Sequence, residues 1–514
     1  MIHATTLSFN RSQHSYSYLL LFTLTSALVL SFFVKDNRLW LDEVFSMTLL
    51  EDPSFGHMNE AITSGLETNP PLFFYVYWFL GHTISLNTTF LKIVSGGLYL
   101  TAIYFFYLYT IKLINRPKQN FFIYLGAIGL TQLNYVQPTQ IRGYSLYILL
   151  VCLHVITTHK LFKSPGTTWL LVTHFISGLA LLLTHYYGLF IVAISASAFL
   201  PLLFWSRQKT YAYPIGSVLL IVCSWLLLWY PQFQLQSSAT AAGFWIVKPT
   251  ATAFFRTIGN LIPSIPKVSG VIPYWDIVRV ALVTGLFLQM AVKRFRPSWR
   301  TFVQDEVYSF YVLTGYLFIG VSLLALAVSL LYVPILVDRY LWPLNLFILF
   351  QFAYAVCYYK PIIHPARFAL PLYALCLCLL MLVQSRRATA FPTSVARYLP
   401  TLNKSYPVFY ESLFYFLPLN YYQLGSNRFW MDWDSSIKSN TISEYRAARL
   451  FREQYAMTGV VAPHDFSTNH FGRFYIVDEA KKYKFEKLIA AGKIRVIRII
   501  PVPESDVRIL ECIQ

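Results

Sequence analysis

Apolar stretches long enough to cross a bilayer recur along this chain from residue 18 to residue 383, and then stop. No other feature constrains the fold as much. In hydrocarbon every backbone N–H and C=O must be satisfied within the segment, so a chain with many such stretches folds as a bundle of membrane helices. Spans are expected near 17–34, 91–112, 121–136, 143–159, 168–184, 187–205, 212–230, 277–293, 308–332, 340–357 and 362–383. The chain is thus a polytopic α-helical, multi-pass protein of the cell membrane, with about 11–13 transmembrane helices. Composition agrees: of 514 residues 56% are hydrophobic and only 12% charged, against about 25% charged in a soluble domain. The first span follows a polar N-terminus without a small-residue cleavage site, so it is expected to be retained as a helix.

The formal net charge is +18. In a soluble protein that would suggest nucleic acid, but no RNA- or DNA-reading motif accompanies it. Much of the charge falls in short inter-helix loops: Lys112, Arg116 and Lys118; Lys160 and Lys163; Arg207 and Lys209; Lys293, Arg294, Arg296 and Arg300. Basic short loops mark the cytoplasmic side. Counting crossings from them puts the N-terminus in the cytoplasm. The loops 35–90, 135–142, 231–276 and 333–339, and everything after 384, fall on the outer side. Residues 72–86 (LFFYVYWFLGHTISL) are apolar enough to look like a span. If they crossed, Lys112, Arg116 and Lys118 would lie outside. Parity therefore favours a juxtamembrane or re-entrant helix within the large first outer loop, with a simple crossing helix as the alternative.

After residue 384 no long apolar run remains. Strand and helix periodicities alternate there, as in a small mixed α/β domain. Strands are expected at 407–411, 428–432, 458–462 and 473–477, with a hairpin 494–500/506–512. Helices are expected near 412–422, 441–456 and 479–491. The chain so divides into a transmembrane domain, 1–384, and an extracytoplasmic domain, 385–514. Of six cysteines, Cys152, Cys223, Cys357, Cys376 and Cys378 fall in spans and Cys512 near the C-terminus. That scatter is no disulfide framework or cysteine metal site.

Five outer-side elements carry polar groups next to apolar spans. They are Trp40-Leu41-Asp42-Glu43-Val44-Phe45-Ser46; Glu67-Thr68-Asn69-Pro70-Pro71-Leu72; Gln137-Pro138-Thr139-Gln140-Ile141-Arg142-Gly143-Tyr144; Thr184-His185-Tyr186-Tyr187-Gly188; and Val333-Pro334-Ile335-Leu336-Val337-Asp338-Arg339-Tyr340. Ionisable groups at a membrane boundary are costly and call for a reason. Arginines facing the same compartment as a carboxylate suit an anionic headgroup held beside a base. On Asp42 and Glu43 the structural alternative is the helix dipole, which favours acidic residues in a first turn. Arg142 and Arg339 have the alternative of snorkelling anchors, and Tyr144, Tyr186, Tyr187 and Tyr340 that of the interfacial aromatic belt. His154 and His174 stand inside spans without a motif and are expected to make helix-packing hydrogen bonds.

With these five elements in this order, the chain resembles a GT-C glycosyltransferase. The branch is that of the protein O-mannosyltransferases, the aminoarabinose transferase of lipid A and related polyprenyl-phosphate-sugar enzymes. The resemblance covers roughly residues 17–350. It implies transfer of a sugar from a polyprenyl-phosphate carrier to a lipid, glycan or protein acceptor on the outer face, usually with inversion. Asp42 matches the catalytic general base. Glu43 matches its acidic neighbour, which orients the acceptor or helps hold a divalent cation (Mg²⁺ or Mn²⁺). Arg142 and Arg339 are candidates for binding the donor phosphate, and His185 and Tyr186 match a pair lining the donor region. Tyr144 and Tyr340 join them as candidate substrate-binding residues. Trp245 and Lys248, in the stretch Phe244-Trp245-Ile246-Val247-Lys248-Pro249, are candidates to cap the phosphate or grip a sugar ring, or else to anchor their loop. Asp432, Asp434, His464, Asp465 and His470 lack metal-ligand spacing and read as surface residues. The main alternative class is a polytopic lipid or glycan transporter or flippase. It usually shows inverted repeats and broken mid-membrane helices, whereas here the polar groups cluster on one face and no repeat is visible.

Overall fold

The computed structural model describes residues 38–114, 116, 120–121, 124, 137–241, 246–262, 274–293, 298–358, 391–424, 428–431, 451–461, 466, 471–479, 485–503 and 507–514. The chain forms two compact units, each assembled from separated stretches. One comprises Met1–Lys35, Asn69–Tyr230 and Ile246–Ala388; the other comprises Asp36–Thr68, Pro231–Trp245 and Thr389–Gln514.

The first unit is helical. Eight of the eleven expected spans are helices: six long and apolar enough to cross a membrane, and two shorter apolar helices, Thr168–Leu182 and Leu344–Tyr358. The six are Thr88–Ile114, Tyr144–Lys163, Tyr187–Ser206, Lys209–Ser237, Trp275–Lys293 and Glu306–Leu331. The expected spans 17–34 and 362–383, and nearly all of 121–136, lie outside the described residues. The ambiguous segment is the helix Leu72–Thr83, 12 residues long. At 1.5 Å per residue that is about 18 Å, well short of a hydrocarbon core of about 30 Å. Such a helix is too short to cross by itself.

Polar groups inside the spans are matched to one another. His154 shares a hydrogen bond with Ser195 (3.1 Å) and His174 with Ser217 (3.0 Å). The two rings stack at 4.4 Å between centroids. His159 is held between the hydroxyls of Tyr109 and Ser309. These histidines join helices, the packing role expected for His154 and His174.

The second unit is an α/β fold on a six-stranded sheet: β1 Val408–Tyr410, β2 Arg428–Met431, β3 Val460–Val461, β4 Arg473–Glu479, β5 Arg495–Pro501 and β6 Val507–Ile513, in the order β3-β2-β1-β4-β6-β5. Strands β1 to β4 are mutually parallel, and β6 runs antiparallel to both β4 and β5. Alternation along β4 sends Phe474 and Ile476 to one face, where they pack with Phe409, Phe466, Phe485, Leu510 and Cys512. The helix expected from 479 begins later. Strand β4 continues through Glu479, paired with Val507, and the helix is Glu486–Ala490. The ladder to β6 offers those backbone groups more partners than a helix start would.

The stretch Asp36–Thr68 belongs to this unit. The helix Leu41–Leu50 packs on Leu413–Tyr421. The Leu39 N–H donates to the Tyr422 hydroxyl (2.9 Å), and Phe45 stacks on Phe451 at 4.8 Å. Asp52, just past the end of the Leu41–Leu50 helix, accepts hydrogen bonds from His57 Nδ1 and the Tyr455 hydroxyl. Burial, with the Asp52 carboxylate beside it, raises the Tyr455 hydroxyl well above its ordinary pKa.

Candidate functional site

Two of the five polar elements are joined through the start of one short helix. Pro70 and Pro71 carry no N–H, so the first backbone donor of the Leu72–Thr83 helix is Leu72. It donates to the Leu183 carbonyl at 2.9 Å, next to Thr184. The turn that follows is tight. The Gly188 N–H donates to the His185 carbonyl (2.8 Å), and a Cβ on Gly188 would stand 2.8 Å from the Leu181 carbonyl oxygen. That approach accounts for glycine after the Thr184-His185-Tyr186-Tyr187 run. The third element reaches the same place through Gly143, where an added Cβ would be 3.4 Å from Phe73 Cβ.

The three elements enclose a pocket lined by Asn69, Phe73, Phe74, Arg142, Gly143, Tyr144, Thr184 and His185. Three expected site residues therefore meet here: Arg142, Tyr144 and His185. Arg142 is 8% exposed. A guanidinium in so dry a wall favours an anion with matching planar oxygens. His185 is buried, stacked on Tyr147 at 4.8 Å, and its Nδ1 accepts the Tyr187 N–H at 3.2 Å. With Nδ1 accepting, the proton of the neutral ring sits on Nε2, which is then a donor.

Tyr340 closes on the same aromatic group, at centroid distances of 5.1 Å from His185, 5.6 Å from Tyr187 and 6.5 Å from Tyr144. Its segment is fixed from two sides. The Tyr187 hydroxyl donates to the Ile335 carbonyl (2.7 Å), and Asp338 accepts from Asn260 (2.9 Å) and from the Arg339 N–H (2.8 Å). The Arg339 guanidinium lies over the Tyr340 ring, 5.5 Å from its centre. Tyr186 accepts a hydrogen bond from the Trp229 indole (3.0 Å). Lys248 is exposed, just before the helix Ala251–Leu261, and does not line the pocket. Trp245, Asp432, Asp434, His464, Asp465 and His470 lie outside the described residues.

Asp42 and Glu43 belong to the other unit. Both stand in the first turn of Leu41–Leu50, where the helix dipole favours acids. Glu43 is 1% exposed, and its Oε2 accepts the Trp40 N–H at 3.3 Å, half of a capping box. Asp42 is the more open carboxylate of the pair. Among the described residues no three His, Cys, Asp or Glu side chains cluster to hold a metal ion.

Sequence reasoning passed over Phe73, Phe74, Asn69 and Thr184 as site residues, although their motifs were noted. Their signal was adjacency to Pro70-Pro71 and to His185. Lys92, near the start of the Thr88–Ile114 helix, is 2% exposed and is not among the residues lining the pocket. Further along that helix, Ser95 bonds the Tyr77 hydroxyl and Tyr99 stacks on Trp342 at 5.0 Å.

No protein-family model matches the chain, and no curated protein matches it in sequence. Among solved structures it is similar to ArnT from Cupriavidus metallidurans in the apo state, with a TM-score of 0.57 over 97% of this chain and 98% of that one. The chain has the ArnT fold. Sequence identity is only 12%, so the likeness is one of architecture. The structure of ArnT bound to undecaprenyl phosphate aligns at a TM-score of 0.53, again with 12% identity, over 96% of this chain and 98% of the other.

Proposed function

We propose that this chain is a membrane glycosyltransferase that moves a hexosyl or pentosyl group from a polyprenyl-phosphate carrier to a lipid, glycan or protein acceptor on the outer face, with inversion. The observation carrying the reading is the buried Arg142, lining one pocket with Tyr144 and His185 on a fold shared with ArnT. ArnT has been solved with undecaprenyl phosphate bound, and a lipid phosphate is the anion such a site suits. The N-terminus is cytoplasmic and the α/β unit extracytoplasmic, following the basic loops.

In this reaction the acceptor oxygen bonds to the anomeric carbon as the bond from that carbon to the phosphate oxygen breaks. The electron pair leaves with the polyprenyl phosphate, and the acceptor proton passes to Asp42. A phosphate leaving group is weakly basic, so positive charge matters more than a strong acid. Arg142 and Arg339 supply that charge. His185 offers its Nε2 proton to the donor headgroup, and Tyr144, Tyr186, Tyr340, Trp245 and Lys248 shape the donor region. Glu43 orients the acceptor through its place in the same helical turn as Asp42; chelation of Mg²⁺ and Mn²⁺ tests whether a cation is required.

The test is single-turnover transfer from defined polyprenyl-phosphate sugars by purified protein. A positioned base typically contributes about 10²–10⁴-fold. Asp42→Asn should lower turnover by an amount on that order while leaving carrier binding and thermal stability intact. Equal rates would remove Asp42 from the mechanism. A wild-type protein that transfers from no such donor but moves labelled lipid across the bilayer would establish the transporter reading instead.

A further inference from the structure

Strand β5 ends the sheet, and among the described residues its outer edge pairs with no strand. It is the most exposed of the strands. Ile497 and Ile499 are 45% and 55% exposed, and Arg495 and Arg498 are exposed beside them. Lys493, just before the strand, and Lys487, on the preceding helix, are exposed as well. Two carboxylates stand beside these cations among the described residues. Glu486 accepts from Arg508 at 2.9 Å, and Glu511, opposite Arg498 in the ladder, stands 3.9 Å from Arg473. Along the strand cations alternate with large aliphatic side chains, Arg498 on the Glu511 side of the sheet and Ile499 on the Leu510 side, so that both flank the free edge.

Charges on an edge strand commonly guard it against pairing with another sheet. That explains the arginines but not the two exposed isoleucines, which a guarded edge avoids. A second strand added to this edge would meet Pro501, which has no N–H, and an irregular register between Val496 and Arg498. Cations flanking apolar side chains instead match a lipid headgroup layer. Aliphatic groups enter at the acyl boundary, while lysine and arginine heads stay with the phosphates. The chain itself carries helices long and apolar enough to hold it in a bilayer, so such a surface is present at high effective concentration.

We propose that the β5 edge docks on an anionic bilayer surface, with Ile497 and Ile499 entering the headgroup layer and Lys487, Lys493, Arg495 and Arg498 pairing with lipid phosphates. This is independent of the chemistry at the pocket. Each cation near an anionic surface contributes about fivefold to the docking equilibrium at moderate salt, and the contribution shrinks as the screening length falls.

The experiment is hydrogen exchange on the full chain in nanodiscs of phosphatidylcholine alone or mixed with phosphatidylglycerol. Amides of β5 should exchange several-fold more slowly in the anionic discs, and high salt should erase the difference. The triple variant K493E/R495E/R498E should exchange alike in both discs, with an unchanged unfolding temperature. Equal β5 exchange of the wild-type protein in the two disc types overturns the proposal. So does protection that follows protein concentration rather than lipid charge, which would mean pairing between copies. The wild-type comparison decides the matter even if the triple variant fails to fold.

Discussion

Replacing Arg142 with methionine removes a guanidinium from a wall that is 8% exposed while keeping much of the stem volume. Among the described residues the other lining groups, Phe73, Phe74, Tyr144 and His185 among them, include no second arginine or lysine. A charge-assisted hydrogen bond is worth about 1.5–3 kcal/mol, and in so dry a wall the upper part of that range applies. Losing one therefore weakens binding of a lipid phosphate about 40- to 150-fold. Arg142→Lys keeps the charge but not the planar fork, so the loss should fall to about 5- to 10-fold. The assay is native mass spectrometry of purified protein with undecaprenyl phosphate and with undecaprenol, with thermal unfolding as the control for folding. Undecaprenol should bind all three proteins alike. A methionine variant with the wild-type preference for the phosphorylated lipid would refute the assignment. Equal loss for both lipids would assign Arg142 to packing.

Gly188→Ala places a Cβ 2.8 Å from the Leu181 carbonyl oxygen. The turn must shift, and thermal stability and donor binding should fall together, whereas Gly216→Ala, with nothing within 4 Å, should leave both unchanged. Burial, together with Asp478 and Glu511, pushes the Cys512 thiol up to about 12. An ordinary thiol titrates near about 8.5. The folded chain thus keeps this thiol neutral over a range in which the unfolded chain ionises it, so stability falls as pH rises from about 8.5 towards 12. In the folded protein at pH 9 Cys512 should resist alkylation that it accepts once unfolded, as mass spectrometry of the labelled peptide would report. For orientation, Lys404→Cys in the α/β unit and Ser298→Cys within a basic loop should label from opposite sides of sealed vesicles, Lys404→Cys from the outside. Labelling of both from one side would overturn the proposed topology.

Most local structure was legible in the residue order. The apolar runs marked eight helices, seven of them to within about four residues at each end, while the one expected at 212–230 runs on to Ala241, and alternation marked β1, β2, β4 and the β5–β6 hairpin. Both signals come from periodicities within ten to twenty neighbours, which a chain displays before it folds. The extent of β4 was less legible, because its pairing with β6 from 28 to 40 residues away decides where it stops. The pocket was legible only as separate motifs. That Leu72 would bond the Leu183 carbonyl, or that Gly143 would sit against Phe73, depends on helix packing between stretches over 60 residues apart, for which local pattern carries no signal.

The grouping of residues 36–68 with the C-terminal unit was decided by tertiary structure alone. The Leu39 N–H finds its acceptor on Tyr422, and Asp52 finds a donor on Tyr455. Composition could place the Trp40-Leu41-Asp42-Glu43 turn next to a membrane helix and identify its carboxylates as costly there. Which side of that turn would be packed, and that one Glu43 oxygen would be engaged as a cap while Asp42 stays the more open, followed from contacts made across the whole length of the chain. Hydrophobic periodicity is a property of single elements, but burial is a property of pairs of surfaces. The sequence therefore determined the elements, and only folding decided which of their faces and polar groups meet.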